Sequence, residues 1–155
     1  VYRITTLLAL PLFFLSCEKS VIFDEEIMPG NPWSYQSVVA FEYEVEDTSI
    51  PYDVMLEVRH QDTFAFENLY VKAVTYFPAG DSTAFPLSLQ LANSTGDWQG
   101  DCSGGVCKTT IHLSDGAYFR SRGKYRIRLE QFSRQAALPG IESLRLKVMK
   151  NENNK

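Results

Sequence analysis

Few residues in this chain could do covalent or acid–base chemistry: three cysteines and two histidines among 155 residues. His60 and His112 are widely separated, and each falls at the end of a strand-like run or within one. An imidazole so placed reads as structural before it reads as a general base. Hydrolysis needs a nucleophile, a base and an orienting group within mutual reach. The chain carries no Gly-x-Ser-x-Gly elbow, no His-Glu-x-x-His pair and no phosphate-binding Gly-rich loop. Acidic residues are plentiful, but no spacing selects a pair for glycoside chemistry. Glu25 and Glu26 stand in a tether-like stretch, and Asp97 and Asp101 in a loop. The expectation is a protein that is not an enzyme, with no catalytic residues, no cofactor and no metal site.

The thiols carry more information. Cys17 ends the segment VYRITTLLALPLFFLSC, in which Arg3 precedes an apolar run from Leu7 to Leu15 broken by Pro11. This is the layout of a signal peptide: a charged start, an apolar centre and small Ser16 at the cleavage edge. The run is shorter than the roughly 20 apolar residues of a spanning helix. Phe14-Leu15-Ser16-Cys17 resembles the lipobox of bacterial lipoproteins, with Phe14 where Leu is usual. That resemblance implies removal of residues 1–16 and palmitate-class acylation of Cys17. Two or three acyl chains, at roughly 0.8 kcal/mol per buried CH₂, would hold a folded domain on a membrane. The competing reading is an ordinary secretory signal with an incidental cysteine.

With Cys17 lipidated, Cys102 and Cys107 remain as an even pair in an oxidising compartment, and a disulfide between them is expected. They bracket Ser103-Gly104-Gly105-Val106, a stretch flexible enough to close a small loop. The alternative is a C-x₄-C metal site, which lacks a second pair of ligands.

The elements that must position these residues read as strands. Apolar and polar residues alternate through Phe41–Glu46, Asp53–Arg59, Phe85–Leu91, Tyr125–Glu130 and Leu144–Val148. Leu69–Phe77 is apolar on both faces, and residues 108–113 are short and β-branched. Gly, Pro, Asp and Ser clusters separate the runs, and no window carries an apolar stripe at helical spacing. About seven strands in such a length predict an all-β, two-sheet sandwich of immunoglobulin-like or jelly-roll type. Pro86 marks its strand as an edge. The expected organisation is a signal peptide over residues 1–16 and a lipid-anchored tether and lead-in over 17–36. The sandwich domain follows over 37–150, with a polar tail over 151–155. A hydrophobic content of 45% with 13% aromatic residues is ample for one packed core.

Charge is unevenly spread within a net −4. Residues 18–115 hold 4 basic and 16 acidic groups, whereas 116–155 hold 10 basic and 3 acidic. The overall pI near 5.2 argues against nucleic acid as a partner. Arg120, Arg122, Lys124, Arg126 and Arg128 recur at every second position and form a candidate partner surface. Cross-strand pairing with Glu42, Glu44 and Glu46 is the plainer account of the same row. Trp33, Trp98 and Tyr118 are candidate loop aromatics; gathered at one end of a sandwich, they could stack on sugar rings. Alternatively, the two tryptophans plug the sandwich ends.

Several stretches together carry a family resemblance. They are Phe66-Glu67-Asn68-Leu69-Tyr70, Gly96-Asp97-Trp98-Gln99-Gly100, and Phe119 followed by Gly123-Lys124-Tyr125. Leu129-Glu130-Gln131, Arg134 and Leu138-Pro139-Gly140-Ile141 complete the set. Taken in order with Cys17, this set resembles the gliding-motility-associated lipoprotein family GldH. The resemblance implies a cell-envelope lipoprotein, at the outer rather than the inner membrane, tied to gliding and the associated protein-secretion apparatus. It implies membrane attachment through Cys17, other envelope motility or secretion proteins as partners, and no catalytic residues. The Cys102–Cys107 loop departs from the family's pattern. The alternative function is a surface glycan-binding lipoprotein of a polysaccharide-uptake system.

Overall fold

Eleven strands and no helix form within residues 20–151, the part of the chain that this computed structural model describes. They are β1 (Val21–Ile27), β2 (Trp33–Ser34), β3 (Val39–Val45), β4 (Tyr52–Gln61), β5 (Asn68–Tyr76), β6 (Ser82–Gln90), β7 (Asp101–Ser103), β8 (Val106–Ala117), β9 (Gly123–Gln131), β10 (Ala137–Leu138) and β11 (Ile141–Lys150). The alternation read from the sequence sets their faces. On β3, Val39, Phe41, Tyr43 and Val45 point inward while Glu42 and Glu44 face solvent. On β11, Leu144, Leu146 and Val148 are buried between Arg145 and Lys147.

Two sheets pack face to face, in the orders β1-β11-β4-β8-β7 and β3-β9-β5-β6. The pairing has a simple logic. Apart from the short β2, β7 and β10, the first long strand pairs with the last, the second with the second-last, and so inward to β5 with β6. This is one long antiparallel hairpin rolled on itself, so of the two sandwich types expected the chain adopts the jelly roll. The hairpin's tip is the β5–β6 turn, closed by Phe77 N–H donating to the Asp81 carbonyl at 2.9 Å. Gly80 in that turn has φ +92°, a conformation L side chains rarely adopt.

The rolled topology gives the domain two poles. Ser20 accepts from Lys150 N–H, Lys150 lies opposite Tyr52, and Tyr52 lies opposite Ala117. With Val45 opposite Gly123 and Tyr76 opposite Ser82, these residues mark the amino pole, where the described chain begins. Ile27, Ile141, Gln61, Asn68 and Gln131 mark the far pole. The ten residues of β4 run from one pole to the other, a distance of about 30 Å at the usual strand rise.

Two readings of the sequence change. The seven expected strands all form, but the folded unit begins before residue 37: Val21–Ile27, assigned to the tether, is edge strand β1 on β11. Its three leading apolar residues and following acids break the period of two, and a register shift between Val21 and Phe23 breaks it further. Phe23 nonetheless covers the flank of the core, with its ring against Phe41 at 6.3 Å and Tyr43 at 5.6 Å. Trp33, a candidate loop aromatic, is fully buried. Strand β2 pairs it with Leu138 of β10, and its indole N–H donates to the Ser37 carbonyl at 2.7 Å. It closes the far pole from within and offers no ring face to a ligand.

Candidate functional site

Two loops meet at the far pole: residues 62–67, from β4 to β5, and residues 132–136, from β9 to β10. Phe64 is the buried anchor of the first loop. It packs under Gly140, where an added Cβ would come within 3.1 Å of the Phe64 ring and where φ is +94°. Only a glycine fits both requirements. The second loop is organised by the buried Gln131. Its Nε2 donates to the Gln135 carbonyl at 2.7 Å, and its Oε1 accepts from Ser133 N–H and Oγ–H, each at 2.7 Å. Tyr35 braces the same loop by donating to the Ser133 carbonyl at 2.6 Å. Phe132 N–H donates to the Tyr70 carbonyl at 2.9 Å and ties the loop to β5.

Between the loops lies an open groove of about 780 Å³. Three aromatic rings in its walls are strongly exposed: Phe66 at 40%, Tyr70 at 48% and Phe132 at 57%. Glu67, Asn68, Arg134 and Gln135 surround them. Exposed aromatics held on a braced frame, with charged and amide groups at the edge, have the composition of a protein-recognition surface. Phe64 links the groove's floor to a second aromatic group, with its ring 5.6 Å from Phe66 and 5.8 Å from His60.

The residues singled out in the sequence do not converge on one place. Lys124, Arg126 and Arg128 project from the outer face of β9, with Lys124 opposite Glu44 and Arg126 opposite Glu42 on β3. Lys124 Nζ stands 3.9 Å from Glu42, and Arg128 pairs with Glu130 at 3.0 Å and donates to the Tyr76 hydroxyl at 3.2 Å. Arg120 and Arg122 precede the strand and lie at the amino pole. The row is therefore divided: three members sit in a mixed-charge ladder, and two lie at a sandwich end. The candidate aromatics divide as well, since Trp33 and Trp98 belong to the far pole and Tyr118 to the amino pole. A single sugar platform made of all three is thereby excluded. Trp98 is half-buried, its ring 4.5 Å from His60 and its indole N–H donating to the Asp62 carbonyl at 3.2 Å.

His60 is buried, and desolvation lowers its pKa. One ring nitrogen meets the Gln61 carbonyl at 2.9 Å, and Nε2 has no hydrogen-bond partner among the described residues. It is a core imidazole, not a poised base. His112 is exposed on β8. Asp97 is held below the usual carboxylate range by hydrogen bonds from Thr95 and Asn93, which build the turn it belongs to. Cys102 and Cys107 form a disulfide that joins β7 to β8 as directly opposed residues, so neither thiol is free for a metal. Cys17 lies outside the described residues.

The groove went unnoticed in the sequence because Phe66 and Phe132 lie in loops 66 positions apart. One signal was present: Tyr70 is an aromatic at solvent parity, between the inward Leu69 and Val71. Another is that six of the residues carrying the family resemblance, Phe66, Glu67, Asn68, Tyr70, Arg134 and Leu138, line the groove.

Comparison with known proteins agrees with that resemblance. The chain is 28% identical over 139 residues to the gliding motility lipoprotein GldH of Flavobacterium johnsoniae, covering 89% of this chain and 86% of the relative. It is 25% identical over 149 residues to the GldH homolog of Christiangramia forsetii, covering 92% of this chain and 91% of the relative. Among solved structures, a family 35 carbohydrate binding module from an environmental isolate is similar over 88% of this chain and 94% of that one. Its TM-score is 0.33 and its identity 11%, too distant to carry a function across. The profile of the family described as GldH lipoprotein matches residues 20–148, and the chain belongs to that family of gliding-motility lipoproteins.

Proposed function

We propose that this chain is a non-enzymatic component of the gliding-motility machinery and its associated protein secretion, held at the outer membrane by acylated Cys17 and acting through protein contacts at the far-pole groove. Family membership supplies the envelope setting. The observation that carries the reading is the position of the groove. Its exposed rings, Phe66, Tyr70 and Phe132, lie at the pole opposite Ser20, where the chain leads back to Cys17. A domain tethered at one end thus presents its recognition surface about 30 Å away from the tether. The test is crosslinking in native envelopes, comparing the wild type with Tyr70→Ala and Phe132→Glu. Both side chains are exposed, so the fold is retained. The expected result is loss of specific crosslinked envelope proteins with membrane fractionation unchanged; undiminished crosslinking would overturn the proposal. Cys17→Ala should release the protein from membranes, and unchanged fractionation would sink the anchor. Charge reversal at Arg120 and Arg122 tests the amino-pole basic residues as a partner surface in the same assay.

A glycan-binding role now has a different seat. Trp33 cannot serve it, but the groove's exposed rings beside Glu67, Asn68, Arg134 and Gln135 also have the makings of a sugar site. A glycan array probed with the folded protein tests it, and an array without signal removes it.

A further inference from the structure

The two sheets do not close equally at both poles. Directly paired residues of an antiparallel ladder point to the same face, so the β5 and β6 partners can be compared. Leu69 and Leu89 are both buried, and so is Val71, but its partner Leu87 is only half-buried. Ala73 is buried, whereas its partner Phe85, on the same inward face, is 47% exposed. The facing strand β8 follows the same course, from buried Cys107 and Thr109 to half-buried Ile111 and Leu113. The sandwich therefore gapes along β6 and β8 toward the amino pole. The opening is a cleft of about 300 Å³, walled by Ala73, Phe77, Phe85, Leu87, Leu113 and Ile127, with Tyr118 and Arg120 among the residues lining it.

Its place in the fold says what would cover it. Ser20, at the amino pole, is three residues from Cys17, a reach of about 10 Å for extended chain. An anchor on Cys17 therefore holds this pole against the lipid headgroups. Tyr118, 59% exposed, and Arg120 are residue types that favour the membrane–water interface, the ring at headgroup level and the guanidinium on phosphate. In the sheet order the cleft's strand β8 is three strands across from β1, about 14 Å from the strand that leads to the anchor. The cleft thus opens onto lipids beside the anchor and away from the anchor's own chains.

We propose that the amino-pole cleft takes up an acyl chain of a neighbouring membrane phospholipid, with Arg120 at the phosphate, so that the domain is oriented on the leaflet as well as tethered to it. This rests on acylation of Cys17, which mass spectrometry of the purified protein and membrane fractionation establish separately. The test uses the acylated full-length protein in nanodiscs whose phospholipid carries a photoactivatable group near the chain end. Irradiation should label Ala73, Thr75, Phe77, Leu87 and Leu113, which line the cleft between the sheets. Phe85→Glu, at an exposed position, and Leu87→Trp, which fills the space, should each lower that labelling at least fivefold while thermal unfolding remains cooperative. In a second arm the photoactivatable chain is placed on Cys17 and the phospholipid is unlabelled. Cleft labelling in that arm alone would make the occupant the protein's own lipid and overturn the proposal. Labelling confined to Tyr118 and its neighbours would show surface contact without chain uptake, and would overturn it equally. With acylation confirmed, either failure refutes the cleft and leaves the anchor and the far-pole groove standing.

Discussion

Gln131 Nε2 donates to the main-chain carbonyl of Gln135 at 2.7 Å, so the last side chain of β9 spans and shapes the loop that follows it. The same side chain accepts from Ser133 twice. The wall of the far-pole groove is thereby held by a buried amide rather than by the exposed residues that form its surface.

Replacing Gln131 by Ala removes these bonds, leaves the Ser133 N–H without its acceptor and leaves the Gln135 carbonyl with the Ser133 hydroxyl at 3.1 Å. A loss of about 1–3 kcal/mol is expected in chemical denaturation. Amide exchange should accelerate in residues 132–136 while the β4–β11 ladder stays protected. A uniform rise in exchange across the domain would contradict a local role.

His60 gives the fold a dependence on pH. Burial lowers its pKa, so the unfolded chain binds a proton more readily than the folded one. Stability is therefore complete above about pH 6.5, the ordinary histidine value, and declines as pH falls through it toward the lower folded-state value. Melting curves between pH 7.5 and 5 should show this decline. His60→Phe should flatten it, since the ring still packs against Phe64 and Trp98. A slope unchanged in the variant would assign the effect elsewhere.

Strand β1 is held by an ion pair. Asp24 on β1 accepts from Arg145 Nε and Nη2 at 2.5 and 2.7 Å, with Lys147 Nζ at 3.9 Å. The hydrogen bond from Arg145 is the largest influence lowering the Asp24 pKa. Its contribution is therefore present above the ordinary carboxylate range and is lost as pH falls below it. For a pair partly open to solvent, Asp24→Asn should cost about 0.5–1 kcal/mol. The effect should appear first as faster amide exchange in Val21–Ile27.

Removing the disulfide by joint Cys102→Ala and Cys107→Ala substitution should cost roughly 2 kcal/mol, the loop-closure value for so short a span. Far-UV circular dichroism should be unchanged, because β8 is held along its length by β4. A larger loss, or loss of the sheet signal, would mean the bridge is required for folding.

What could be read from the sequence follows from the range of the interactions involved. The alternation of Phe41, Tyr43 and Val45 with Glu42 and Glu44 is local and fixed both the strand and its buried face. The β9 basic row was legible for the same reason; of the three acids expected opposite it, Glu42 and Glu44 face Arg126 and Lys124, and Glu46 lies beyond the paired register. The Cys102–Cys107 pairing rested on counting thiols and on a short loop. Strand β1 was missed because an edge strand has a ladder on one side only, and its Val-Ile-Phe-Asp-Glu-Glu order follows no single period. Trp33 stands among Pro29, Gly30 and Pro32, which mark a loop, yet its partners Leu138 and Gln131 lie about a hundred residues further on. The groove depends on the same long-range closure, since Phe66 and Phe132 meet only once the hairpin has rolled.

The pairing of the first long strand with the last also has a mechanical meaning. β1 begins at the amino pole and lies antiparallel to β11 through six register pairs, from Val21 with Met149 to Ile27 with Leu144. Under the proposed tether at the amino pole and a partner bound at the far pole, a load between the two would run along the strand axes. Under that load the β1–β11 bonds are sheared together instead of being peeled one at a time, with Asp24–Arg145 and Glu26–Ser143 as cross-braces. The edge strand that the sequence disguised as a tether is the element through which the domain would transmit force.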